Sequence, residues 1–220
     1  DQAIALFEQN LTDFTRVLGP AHPETLAWRD KLAGACQAAG RLNEAIALFE
    51  RNLTDFIRVL GSHHPETLAS RGNLAGAYQA AGRLDRAIPL LQQNLEDRSR
   101  ILGPDHRDTL ASRNNLAGAY QAAGRLDQAI PLLQQTLDDS ARLLGPHHPR
   151  TLTSRNNLAG AYQAAGRLDE AIPLFEQTLT DHTYSLGPQH PRTLNTRNHL
   201  ANAYLAAGRT KEAKKLFGTP

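Results

Sequence analysis

Asn156-Asn157-Leu158-Ala159-Gly160-Ala161-Tyr162-Gln163-Ala164-Ala165-Gly166-Arg167-Leu168-Asp169 decides the fold, because the same letters stand 42 residues earlier at 114–127. The same shift aligns His22-Pro23, His64-Pro65, His106-Arg107, His148-Pro149 and His190-Pro191 without a gap. It also aligns two sets of glycines: Gly40, Gly82, Gly124, Gly166 and Gly208, and Gly19, Gly61, Gly103, Gly145 and Gly187. Two glycine turns per period imply two helices per repeat. The reading is a lone second helix over 1–18, repeats at 22–60, 64–102, 106–144 and 148–186, and a shortened repeat at 190–217. That gives eleven helices and no strand.

Leu110, Arg113, Leu116, Ala117, Tyr120 and Ala123 recur at three- and four-residue steps, one buried stripe of a first helix. Pro65 and Pro149 suit its first position, where the N–H has no partner to lose. Second helices carry two stripes, Ile46, Phe49, Leu53 and Leu60 on one side and Leu48, Asn52, Asp55 and Val59 on the other. A helix with two stripes touches two neighbours, so each repeat completes the core of the next. Asp85, Asp127 and Asp169 are expected to cap these helices, with Pro89, Pro131 and Pro173 producing a slight distortion.

Charged residues are 21% of the 220 and the net charge is +2, with both signs interspersed, which favours neither nucleic acid nor membrane as a partner. No stretch has the roughly 18 apolar residues of a membrane helix, and no signal peptide opens the chain. Cys36 takes the place of Tyr78, Tyr120, Tyr162 and Tyr204. It reads as a buried core thiol suited to a reducing, cytoplasmic setting. Because Asp1 falls inside a repeat, a fragment of something longer is expected.

Arg29, Arg71, Arg113, Arg155 and Arg197 lie on the buried stripe, where an unpaired guanidinium is expensive. A matching acidic column predicts inter-repeat pairs Asp13–Arg29, Asp55–Arg71, Asp97–Arg113, Asp139–Arg155 and Asp181–Arg197. The other reading has the arginines reaching for acidic ligands. His63-His64 and His147-His148 raise a zinc site, but each pair sits in a separate loop without a third ligand. His64 and His148 are instead expected to close their loops and cap the following helices. No phosphate-binding loop, zinc-protease motif or serine elbow occurs, and no constellation breaks the periodicity. No enzyme activity, cofactor or metal is expected.

The phrase quoted above, with Ala171 and Leu186-Gly187-Pro188-Gln189-His190-Pro191, resembles the tetratricopeptide repeat of kinesin light chains, a type also found in bacterial multidomain proteins. The resemblance covers nearly the whole chain. It lacks a heptad coiled coil, and Arg167-Leu168 stands where that family more often has a basic residue and an aromatic, so cargo transport is not carried over. The resemblance implies an all-α, right-handed superhelical solenoid of antiparallel helix pairs. It further implies a concave groove of first helices holding a peptide segment or partner helix of another protein. The residues matching that groove are Asn73, Gln79, Asn114, Asn115, Gln121, Asn156, Asn157, Gln163, Asn198 and Asn202, with His199 beside them.

Independently, Ala111, Asn115, Gly118 and Ala122 lie off the apolar stripe at four-residue spacing. Small side chains admit another backbone, and amides offer it both donor and acceptor. The plainer reading is a solvated helix face. The other functional expectations are a sensor or self-association domain regulating an attached effector, such as a nucleotide-driven switch, and an architectural spacer. Self-association is expected through the exposed terminal repeats, at Ile4, Phe7 and Leu11.

Overall fold

The computed structural model describes residues 2–218. Among them are eleven helices and no strand: α1 (Gln2–Leu18), α2 (Pro23–Ala38), α3 (Leu42–Leu60), α4 (Pro65–Ala80), α5 (Leu84–Leu102), α6 (Arg107–Ala122), α7 (Leu126–Leu144), α8 (Pro149–Ala164), α9 (Leu168–Leu186), α10 (Pro191–Ala206) and α11 (Thr210–Lys215). Even-numbered helices are the first helices of the repeats. The chain forms two compact units, residues 1–112 and 113–220, divided inside α6.

The turn inside a repeat is made by glycine just past the helix. Gly82 has φ +72°, its N–H donates to Gln79 O at 3.0 Å, and Arg83 N–H donates to Tyr78 O at 2.8 Å. This six-residue closure ends α4 and starts α5 on the same residue, Arg83, which caps α5 without a side-chain bond. The expected caps Asp85, Asp127 and Asp169 are therefore already inside the first turn. There their charge faces the positive end of the helix dipole instead of binding its free N–H groups. Pro89, Pro131 and Pro173 lie within the helices that follow.

The turn between repeats is different. Gly61 has φ +87° and ψ 162°, a region essentially closed to any residue with a Cβ. Its carbonyl accepts the Thr67 hydroxyl at 2.8 Å, while His64 Nδ1 accepts the Glu66 N–H at 3.3 Å. The hydroxyl bond recurs at 2.8 Å from Thr25, Thr109, Thr151 and Thr193 to Gly19, Gly103, Gly145 and Gly187. All five threonines are fully buried.

In the first unit, α2, α3 and α4 enclose Leu32, Cys36, Ile46, Phe49, Leu74 and Tyr78. Ile4 is buried against them, and Phe7 and Leu11 pack on the same core. The expected open apolar end is thus mostly closed by α2, with Phe7 and Phe14 at 6.0 and 5.5 Å from the Trp28 ring. The large apolar residues that α1 leaves exposed are Leu6, Val17 and Leu18. In the second unit one cluster gathers Ala117, Leu133, Leu158 and Ala161, and another Ala159, Ile172, Phe175, Leu200 and Tyr204. Ala45, Ala87, Ala129 and Ala171 have no exposed surface, which brings neighbouring helices close together.

The buried arginines pair within their own repeat, not with the preceding one. Arg29 meets Asp55 at 2.6 Å, Arg71 meets Asp97 at 2.5 Å, Arg113 meets Asp139 at 2.7 Å and Arg155 meets Asp181 at 2.6 Å. Asp13 instead pairs with exposed Arg16, and Arg197 donates to Pro188 O. Axial level alone favoured the wrong partner because helical side chains lean toward the N-terminus. Arg71 leans away from the Gly82 turn while Asp97 leans toward it, so the two converge. The same lean brings the second guanidinium nitrogen to a loop carbonyl: Arg29 to Pro20 O, Arg71 to Ser62 O and Arg155 to Pro146 O.

Burial by itself pushes the Asp55, Asp97 and Asp139 carboxyls up, but arginine hydrogen bonds outweigh it and hold them below the ordinary carboxylate value. A lowered native pKa contributes stability that is present above about pH 4 and is lost as pH falls through the native value. Urea midpoints are therefore expected to fall in that window, and less so in an Arg71→Leu, Asp97→Leu variant. At neutral pH, Asp97→Ala should lower stability by about 3 kcal/mol, leaving a buried guanidinium unpaired. Asp13→Ala should change it by less than about 0.5 kcal/mol; the reverse order in denaturation midpoints would restore the inter-repeat pairing.

Candidate protein-binding surface

Within the first unit α2 and α4 lie side by side, and within the second α8 and α10 do the same. Their inward faces carry the stripe and the arginines. The opposite face is left with small and amide residues. In the second unit Asn115 and Ala122 are exposed and Gly118 half-buried on α6, and Thr153 and Ala164 are exposed with Asn157 half-buried on α8. On α10, Asn195, Asn198 and Asn202 are exposed. Gln121 and Gln163 are half-buried.

Not every expected amide is uncommitted. Asn73, exposed on α4, donates to Asp30 Oδ2 at 2.5 Å, while Asn52 Nδ2 donates to Asp30 Oδ1 and to Leu26 O, both at 3.0 Å. Burial pushes the Asp30 carboxyl up, and the bonds from Asn52 and Asn73 partly counter it. Asn156 accepts from Thr196 at 3.5 Å, and Asn114 has a buried Oδ1 with no protein partner. Gln79 is half-buried on α4 in the first unit, as Asn73 is exposed there. Sequence reading missed Asp30: its column continues as Gly72, Asn114, Asn156 and Asn198, so periodicity hid a carboxylate.

The histidines divide between two tasks. His22, His64, His106, His148 and His190 each accept the N–H two residues on at 3.2–3.3 Å. His63 and His147 turn the other way, toward Asp97 at 3.6 Å and Asp181 at 3.1 Å. No group of three or more metal-ligating side chains forms among the described residues. No helix of the described residues is long and apolar enough to cross a membrane.

Between repeats, Tyr78 donates to Glu50, and Tyr204 donates to Glu176 at 2.5 Å. Burial, followed by the Glu176 hydrogen bond, pushes the Tyr204 hydroxyl up to about 12. Arg167 and Arg209 stack over Tyr162 and Tyr204 at 4.5 Å from the ring centroids. Those contacts occupy the arginine that stands where the kinesin light chain pattern has a basic residue.

Antiparallel helix pairs closed by two glycine turns, with regular spacing and a free first-helix face, define a helical-repeat interaction module. Models described as tetratricopeptide repeat match residues 1–51, 27–96, 66–139, 109–183 and 162–219. The chain belongs to the tetratricopeptide-repeat family, whose members are generally protein-interaction scaffolds. It is similar to the nearly identical TPR-like repeats of a Podosopora anserina protein ascribed to kinesin light chain, at 38% identity and TM-score 0.78 over 90% of this chain and 93% of that one. A point variant of those repeats gives 37% identity and TM-score 0.80 over the same shares. BtubC from P. vanneervenii shares the fold at TM-score 0.81 and 22% identity, over 98% of this chain and 87% of that one. None of the curated proteins matches.

Asn73→Ala removes a hydrogen bond that favours the ionised form of Asp30, so the Asp30 pKa should rise further, as read by carboxyl NMR titration. An unchanged value would mean that the bond does not hold in solution.

Proposed function

We propose that the chain is a binding scaffold holding an extended peptide segment, or a partner helix, against the face of its first helices. The observation that carries this is the alternation of small residues with amides on that face. Asn115, Gly118 and Ala122 are followed one repeat later by Asn157, Gly160 and Ala164. Small side chains let a peptide backbone approach, and each amide presents a donor and an acceptor to it. The charges needed by the fold are tied up inside the hairpins, so this face reads backbone and shape more than charge. Each amide contributes modestly, about 1 kcal/mol per hydrogen bond, so affinity accumulates over repeats.

The test uses peptides selected on the chain from a display library. In the Asn115→Ala, Asn157→Ala variant their affinity should fall about tenfold or more, the loss of two hydrogen bonds, while the denaturation midpoint stays put. Undiminished binding of every selected peptide would place recognition elsewhere.

A further inference from the structure

Helix positions that the fold requires repeat in every copy, whereas several in the second unit depart from the pattern together. His182 stands where the other repeats have Phe14, Phe56, Arg98 and Ser140. Thr153 and Asn195 replace Ala27, Ala69 and Ala111, and Arg192, like Arg150 one repeat earlier, replaces Glu24, Glu66 and Asp108. These departures converge in space. Thr153, Asn156, His182, Arg192, Asn195 and Thr196 line one pocket of about 350 Å³ formed by α8, α9 and α10.

His182 is 5% exposed, and its ring makes one hydrogen bond, between Nδ1 and Thr196 Oγ1 at 3.1 Å. Its Nε2 therefore has no partner among the described residues, although the ring borders the pocket. Burial first, then the nearby Arg192, pushes the His182 pKa down; His190 and Arg155 act in the same direction and Asp181 opposes them. The ring is thus neutral at pH 7, in surroundings with more positive than negative charge. Thr196 also lies 3.1 Å from Arg192 O and 3.5 Å from Asn156 Oδ1.

The geometry points to this pocket as a binding site for a tetrahedral oxyanion of the phosphate class. One guanidinium and two amides offer donors from α8 and α10, with the imidazole of α9 at the border, while the Thr153 hydroxyl donates to Pro149 O at 2.9 Å and the Thr196 hydroxyl to Arg192 O at 3.1 Å. That donor set matches the several oxygens of a phosphoryl group better than the two coplanar oxygens of a carboxylate. The phosphoryl group is either free or carried on a side chain of a bound peptide. Binding of the group itself stands apart from the peptide-scaffold reading, and only its carriage on a peptide rests on that reading.

The experiment titrates inorganic phosphate, and separately acetate at equal ionic strength, into the chain. The His182 ring and the Asn195 and Thr196 amides are followed by NMR. Phosphate should give saturable shifts there and bind about tenfold or more tighter than acetate, and Arg192→Ala should remove about tenfold or more of its affinity. Arg150→Ala, at the equivalent place on α8 but outside the pocket, should leave it unchanged. His182→Phe restores the residue found at Phe14 and Phe56, so it should fold and yet lose the site. Non-saturating shifts shared by all histidines, equal binding of acetate, or equal loss in Arg150→Ala would each overturn the assignment.

A phosphoserine peptide binding more tightly than inorganic phosphate would identify a peptide-borne group, and one binding no more tightly would identify the free anion. Phosphate affinity should be retained in the Asn115→Ala, Asn157→Ala variant. Failure of the peptide scaffold is thereby separated from failure of the pocket.

Discussion

Everything in this fold is set out from the glycine that ends each second helix. At φ near +90° and ψ near 160°, Gly61 and its equivalents hold a backbone conformation that a Cβ would forbid. The carbonyl so oriented is the acceptor for the buried threonine of the next helix, and the histidine cap follows three residues later. With the second turn closed on a single shared residue, neither loop has slack. Within each unit the level and facing of every helix against its neighbour are consequently fixed, and the tightly packed alanines and the ion pairs can recur in each copy.

The arginine–aspartate bond has to satisfy that fixed geometry, and it does so inside the hairpin. The four complete repeats are electrostatically closed: the guanidinium is nearly buried, its carboxylate lies on the partner helix, and for Arg29, Arg71 and Arg155 a carbonyl of the preceding loop takes a further donor. Contact between repeats then rests on apolar packing and on hydrogen bonds such as Tyr204–Glu176 and Asn73–Asp30. Apolar contacts are indifferent to small differences between copies, whereas a charge pair needs its partner at hydrogen-bond distance. Placing the pair within the copy lets successive repeats vary without stranding a charge.

The period, the two turns, the eleven helices and the burial of Cys36 were all legible in the sequence, since glycine spacing and a three-to-four-residue stripe report backbone constraints directly. Cap and pairing assignments were less so. Asp85 sits beyond where a cap would lie, because the turn ends one helix and begins the next on Arg83. Asp55 was equally periodic with respect to either arginine, and only the packing of the helices decides between them. The half-buried state of Asn114, and the Asn73–Asp30 bond, depend on how neighbouring helices are spaced, which no single repeat encodes.

A repeated architecture also changes what a departure from pattern means. In a unique domain an isolated buried histidine is usually a packing solution, because nothing nearby shows what else the position could hold. Here the other copies supply that comparison. Phe56 fills its place with a ring, and Arg98, at the same place, sends its guanidinium to Asp108 O and Ser112 Oγ. The fold therefore tolerates an aromatic, a cation, a hydroxyl or an imidazole in this column, and His182 is not dictated by packing. Its company of further departures around one pocket follows more readily from a shared ligand than from chance relaxation of the pattern, since drift would scatter them over the surface. In such an array the invariant columns describe how the chain folds, and the columns that change together describe what a particular copy binds.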